Sequence, residues 1–152
     1  MDSTDRKILE LLQEDASRSI EQIARAVNLS STPCWKRIRR LESDGVIHKR
    51  VVLLDPDKVG AGMVVFVEIR TNDHSAEWLS RFKTAVENMP EVLDFYRMAG
   101  DIDYLLRVVV PTMDAFNEFY KRLIGRIPFS NVTSSFAMER IKYTTALPIS
   151  AN

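Results

Sequence analysis

The chain has 152 residues, 45% hydrophobic and 28% charged, with 21 basic and 21 acidic side chains. This is the composition of an ordinary folded protein, long enough for one large domain or two small ones, and its neutrality neither supports nor excludes a nucleic-acid partner. No apolar run approaches the ~18 residues that span a bilayer, and the charged start Met1-Asp2-Ser3-Thr4-Asp5-Arg6 lacks the apolar centre of a signal peptide. The single cysteine, Cys34, excludes an intrachain disulfide and a cysteine-based metal cluster, so a cytoplasmic protein is expected, with no membrane partner.

The first 45 residues show helical periodicity. Ile8, Leu9, Leu11 and Leu12 form a stripe behind the possible caps Asp2, Ser3 and Thr4, which predicts a helix over about 4–14. Ser19-Ile20-Glu21-Gln22 fits a capping box, and Ile20, Ile23, Ala24 and Val27 give the next helix a buried side that stops near Asn28. A hydroxyl residue followed by Pro33 in the first turn starts a third helix, which ends before Gly45, a suitable left-handed stop. Two short helices joined by a tight turn are a helix-turn-helix. Val46–Leu54 is β-branched and basic and reads as a strand or wing. The expected DNA-binding domain therefore covers 1–54.

Asp55-Pro56-Asp57, with Gly60 and Gly62 after it, marks a linker over 55–62. The remainder, 63–152, alternates strand and helix. Strands are expected over Met63–Thr71, Val92–Ala99, Tyr104–Val110 and Val132–Tyr143, and helices over Ser75–Met89 and Thr112–Arg126. The first of these helices would bury Trp78, Leu79, Phe82, Ala85, Val86 and Met89; the second would bury Met113, Phe116, Phe119, Tyr120 and Leu123. The order βαββαβ is ferredoxin-like, so the fold class is α+β: a winged helix-turn-helix followed by a ferredoxin-like domain. All its helices lie on one face of the sheet, so the other face is expected to be covered by a second copy.

At about 100° per residue, Cys34, Ile38 and Leu41 fall on one side of the third helix, with Trp35 on the flank. Thr32, Lys36 and Arg40 fall opposite, with Arg37 and Arg39 on the shoulders. A helix that enters the major groove by its N-terminus needs this layout, with small polar residues first and arginines later. Ser31, Thr32, Trp35 and Lys36 are the base-edge candidates, and Arg37, Arg39, Arg40 and Lys49 the phosphate candidates. A solvated charged helix face is the simpler alternative; the capped helix, tight turn and basic segment around it favour double-stranded DNA. The two histidines, His48 and His74, fall in different domains, and there is no phosphate-binding loop, paired catalytic carboxylate or metal motif. No enzyme, metal or cofactor is expected. An RNA- or protein-binding winged helix with a structural second domain is the remaining alternative. The inward position of Cys34 favours a small buried hydrophobe over a redox sensor.

The chain resembles the Lrp/AsnC family of feast/famine regulators over nearly its whole length. The matching residues are Asp5-Arg6-Lys7-Ile8-Leu9, Ile23-Ala24, Leu29-Ser30-Ser31-Thr32-Pro33-Cys34-Trp35-Lys36-Arg37-Ile38 and Leu41-Glu42-Ser43-Asp44-Gly45-Val46-Ile47. In the second domain Gly100-Asp101-Ile102-Asp103-Tyr104-Leu105-Leu106 is similar to the family's Gly-Asp-x-Asp-Tyr signature. The resemblance implies a transcription regulator that dimerises, assembles toward octameric rings, and binds an amino acid or related metabolite between dimers. The implied effector site comprises Gly100, Asp101, Asp103 and Tyr104, with Thr133, Ser134, Ser135 and Phe136 at the start of the last strand. An acidic side chain could take the ligand's ammonium, and turn amides and hydroxyls its carboxylate. An ordinary hairpin turn would also account for Gly100–Asp103. Thr32–Arg37 and Phe136–Thr145 further resemble a branch that includes cysteine-responsive regulators of sulfur amino-acid breakdown.

Overall fold

The computed structural model describes residues 1–149, which form two compact units. The first comprises residues 1–53 together with the chain from Ile141 onward; the second comprises Leu54–Arg140.

In the first unit, helices α1 (Ser3–Glu14), α2 (Ile20–Ala26) and α3 (Ser31–Ser43) enclose Ile8, Leu9, Leu11, Ile23, Ala24, Cys34, Ile38 and Leu41. The Ser19/Gln22 capping box is formed, and a second one, Asp2 with Asp5, starts α1. Asn28, at φ 55°, turns the chain between α2 and α3, and Gly45, at φ 72°, ends α3 in the left-handed region that favours glycine. Val46–Leu54, expected as a strand or wing, has no strand. Its apolar residues Val51, Val52, Leu53 and Leu54 are exposed, and no described segment pairs with it; a β-branched run without a neighbour has nowhere to place its ladder hydrogen bonds.

The second unit holds β1 (Met63–Arg70), α4 (Ala76–Glu87), β2 (Val92–Arg97), β3 (Tyr104–Val110), α5 (Met113–Ile124) and β4 (Asn131–Phe136). The sheet is antiparallel in the order β2-β3-β1-β4, the ferredoxin-like arrangement. Strand alternation builds its core: Val65, Val67 and Ile69 of β1 and Tyr104, Leu106, Val108 and Val110 of β3 point to the helices. There they meet Trp78, Phe82, Ala85, Val86 and Met89 from the α4 side, and Phe116, Phe119 and Leu123 of α5. Met113, expected inward, is exposed: it lies at the edge of the α5 stripe, in the first turn, on the side of half-buried Tyr120.

The last strand is shorter than the Val132–Tyr143 expectation. Ala137 still donates to the Val64 carbonyl at 2.9 Å, but the ladder with β1 stops at the Val65–Phe136 pair, although β1 itself continues to Met63. Among the described residues, 141–149 group with the first unit, whereas the sequence expectation gave 63–152 to the second. The Leu147 amide donates to Gln13 Oε1 at 2.7 Å, Gln13 Nε2 donates back to the Leu147 carbonyl at 3.2 Å, and Ile149 packs against the three-helix core.

Candidate nucleic-acid interface and effector site

Helix α3 buries Cys34, Ile38 and Leu41, so its remaining faces are fixed by geometry. Ser31, Thr32, Trp35, Lys36, Arg39 and Arg40 are exposed. Ser30 caps the helix by position but makes no side-chain cap bond, which leaves the first-turn N–H groups open to an acceptor. Lys36 has no ion-pair partner among the described residues. Arg39 lies over the Trp35 ring at 5.8 Å and pairs with Glu42 at 3.0 Å, both contacts within the helix. Lys49 is exposed in the segment after α3, and its neighbour Arg50 reaches Glu42 at 3.3 Å.

Arg37 and Arg40 do not behave as the helical wheel alone suggests. Arg37 Nη1 donates to Asp2 Oδ2 at 2.6 Å and to Asp5 Oδ1 at 2.8 Å, and its side chain is only 29% exposed. Arg40 Nη2 donates to Asp5 Oδ2 at 2.6 Å. Arg37, expected at a phosphate, is thus turned toward α1. Asp5 enters the sequence analysis only through the family match; its place one turn before Ile8 and Leu9 on the apolar stripe of α1 is the signal of a buried carboxylate, which requires a cationic partner.

Two carboxylates in this cluster titrate low. Asp2 is lowered to about 2, first by the Asp5 amide that donates to it and then by Arg37. Burial pushes Asp5 up, but the Asp2 amide and Arg37 more than offset it, and the net shift is downward. A carboxylate with a depressed folded pKa contributes stability that is fully present above its unfolded value near 3.8 and is lost as pH falls through the folded value. The first unit is therefore expected to keep its helical circular-dichroism signal down to pH 4 and to lose it progressively toward pH 2. An Asp2→Asn, Asp5→Asn double variant should be less stable at pH 7 and flatter across that window. Equal acid sensitivity in the two proteins would remove the cluster from the explanation.

In the second unit the effector candidates separate into three environments. Gly100 and Asp101 are exposed in the β2–β3 hairpin, where Gly100 has φ 147°, a conformation that favours glycine. Asp103 holds the hairpin to the sheet: its amide donates to the Ile69 carbonyl at 3.0 Å, its carbonyl accepts from Met98 at 2.8 Å, and its Oδ2 accepts from the Thr71 amide at 2.8 Å. Its Oδ1 faces His74 Nδ1 at 3.9 Å. Tyr104, expected in the site, is 3% exposed and belongs to the core, with ring centres 5.5 Å from Trp78, 5.5 Å from Phe82 and 5.7 Å from Phe95.

The β4 residues alternate in direction. Thr133 and Ser135 pair with Glu68 and Phe66 on the helix-free face. Ser134 and Phe136 point the other way, and Phe136 packs edge-on against Phe116 at 5.1 Å. The Asp103 turn and the start of β4 nevertheless share one end of the sheet, because Tyr104 and Val132 both pair with Ile69. They are separated by two strand spacings, about 10 Å. Asn131 and the Thr71–His74 loop complete this end. Within one chain it is an open polar shelf and not an enclosed pocket; the described cavities of the second unit lie beside α4.

Two family models match this chain, one in each part of it. A model of the AsnC-type helix-turn-helix domain matches residues 1–42, and a model of the Lrp/AsnC ligand binding domain matches residues 64–147. The DNA-binding transcriptional activator DecR of Escherichia coli K12 is 58% identical over 98% of this chain and 99% of its own. A crystal structure of an AsnC family transcriptional regulator from Agrobacterium tumefaciens is 58% identical, superposes with a TM-score of 0.94, and is covered over 97% of both chains. A transcriptional regulator of Neisseria meningitidis, crystallised in complex with L-Met, is 33% identical with a TM-score of 0.92, over 97% of this chain and 96% of its own. With both domain models matched in order along one chain, and with that identity over nearly its full length, this protein belongs to the Lrp/AsnC family of DNA-binding transcription regulators.

Proposed function

We propose that this regulator reads DNA with the N-terminal half of α3 and that its second unit binds an amino acid, a sulfur amino acid first among them. The observation that carries the DNA reading is the outward pair Thr32 and Lys36, one helical turn apart on the face opposite Cys34 and Ile38, in the first turns of a helix whose N-cap Ser30 makes no side-chain cap bond. Ser31 and Trp35 flank that pair, and Arg39 and Lys49 are placed to meet phosphate. For the effector, the Neisseria regulator holding L-Met shares the fold over nearly the whole chain. Asp101, with an exposed carboxylate, is the side chain we assign to the ligand's ammonium. Asp103 braces the turn beside it, and Thr133 and Ser135 offer hydroxyls across the same end of the sheet.

Dimerisation through the helix-free sheet face is part of the reading. Phe66 and Tyr96 are exposed on or beside that face, and Leu105 and Val109 are half-buried there. A helix-free sheet face that carries exposed aromatic side chains among polar ones is suited to burial against a partner. Assembly of dimers toward an octamer would bring a second chain to the open shelf at the Asp103 end, and action in the cytoplasm follows from a DNA target.

The test is a thermal-shift screen of the twenty amino acids, paired with anisotropy measurements on a duplex selected from a random-sequence library. A ligand present at a hundred times its Kd stabilises the folded protein by about 2.7 kcal/mol, a readily measured rise in Tm. Cysteine or methionine is expected to give the largest rise, to change affinity for the selected duplex, and to lose both effects in Asp101→Asn. Twenty amino acids without a shift would dispose of the effector assignment; a shift with no change in DNA affinity would dispose of the coupling.

A further inference from the structure

The basic run of α3 divides into two pairs with different fates. Lys36 and Arg39 face outward, Lys36 without an ion-pair partner among the described residues and Arg39 with only a surface partner one turn along. Arg37 and Arg40 converge instead on Asp5 of α1. Among the described residues Asp5 is the one charged side chain that is buried, at 1% exposure. Both its oxygens are occupied: Oδ1 accepts from Arg37, and Oδ2 accepts from Arg40 and from the Asp2 amide at 3.1 Å. With Asp2 also bound to Arg37, two guanidinium charges are balanced by two carboxylates.

We propose that Asp5 is a specificity-determining residue that withholds Arg37 and Arg40 from the DNA backbone. The proposal rests on the assignment of α3 to the DNA interface. Sequence-independent affinity grows with the number of phosphates neutralised, whereas base-edge contacts supply discrimination. Each cation withheld from phosphate therefore weakens binding to random DNA more than it weakens recognition of the preferred site. For either arginine to reach a phosphate, it must give up a charge-assisted bond to a buried carboxylate, and a buried charge stripped of its partner is strongly unfavourable. Asp5 thereby sets how much of the helix's positive charge the duplex meets. The same bonds fix the rotation of α3 against α1, which keeps Thr32 and Lys36 on the outer face.

The experiment is a salt titration of the full chain on the selected duplex and on a scrambled one. In Asp5→Asn, an isosteric change, the scrambled duplex is expected to bind at least threefold more tightly. The slope of log affinity against log salt should steepen by about 1–2, close to 0.9 per phosphate gained. The ratio of selected to scrambled affinity should fall. A residue that only supports the fold would weaken both duplexes and leave the slope unchanged or flatter, and that result overturns the proposal. Arg37→Gln and Arg40→Gln keep the question decidable if Asp5→Asn does not fold. Withheld charges leave the slope unchanged, while Arg39→Gln should flatten it by about 0.9. A flattening of about one unit in Arg37→Gln or Arg40→Gln also overturns the proposal. If Arg39→Gln is silent as well, the assignment of α3 to the DNA interface fails, and this inference fails with it.

Discussion

Tyr104→Ala is expected to lower the stability of the second unit by about 3–5 kcal/mol, the range for truncating a large aromatic in a packed core. Tyr104 starts β3 on the helix side of the sheet, at 3% exposure, inside an aromatic group with Trp78, Phe82 and Phe95. Truncation removes the ring contacts and leaves a cavity that Trp78 can fill only in part, because its Nε1 is held by the Pro128 carbonyl at 3.1 Å. Urea denaturation should show a lower midpoint with an unchanged m-value. Tyr104→Phe separates this role from ligand contact: it keeps the ring and removes the hydroxyl, and effector affinity should stay within about twofold. A tenfold loss in that variant, with stability preserved, would return Tyr104 to the effector site. Its place in the Gly-Asp-x-Asp-Tyr signature then reflects packing: the motif ends in the residue that anchors the hairpin to the core.

That distinction marks where sequence reading succeeded and where it stopped. Apolar periodicity identified all three helices of the first unit and the βαββαβ order of the second, because a buried stripe on a helix and alternation on a strand are imposed by the same geometry that builds the core. The cap at Ser19 and the stop at Gly45 were legible because each depends on one residue's local chemistry. Pairing across sequence distance was not. Asp5 lies 32 residues before Arg37 and 35 before Arg40, and the helical wheel ranks Arg40 by angle alone, without the carboxylate that bends it back. β4 ends at Phe136, opposite Val65, although β1 continues to Met63, so the β-forming tendency of Phe136–Tyr143 did not set its length. The candidate effector residues come from a motif. Their division between hairpin, core and two faces of β4 follows from strand register, and a single residue of slip would have exchanged the two faces.

Lys36→Ala carries the other large expected effect, and it lies in DNA recognition and not in stability. Lys36 follows Thr32 by one turn on the exposed side of α3, and among the described residues no carboxylate draws it away. A long cation at that position reaches base edges when the helix enters the groove by its N-terminus, and the loss of one such contact costs about 1–3 kcal/mol, or roughly 5- to 150-fold in affinity for the selected duplex. On scrambled DNA only a general charge contribution is lost, so the change there should be several-fold at most. Thermal stability should not move, because the side chain touches no core residue and substitution by alanine favours the helix. Arg39→Ala provides the contrast: its guanidinium sits one turn later, over Trp35, and its removal should weaken both duplexes alike. If Lys36→Ala instead weakens selected and scrambled duplexes by the same factor, this face of α3 grips phosphate only. Base reading would then fall to Ser31, Thr32 and Trp35, which could be tested singly by the same pair of duplexes.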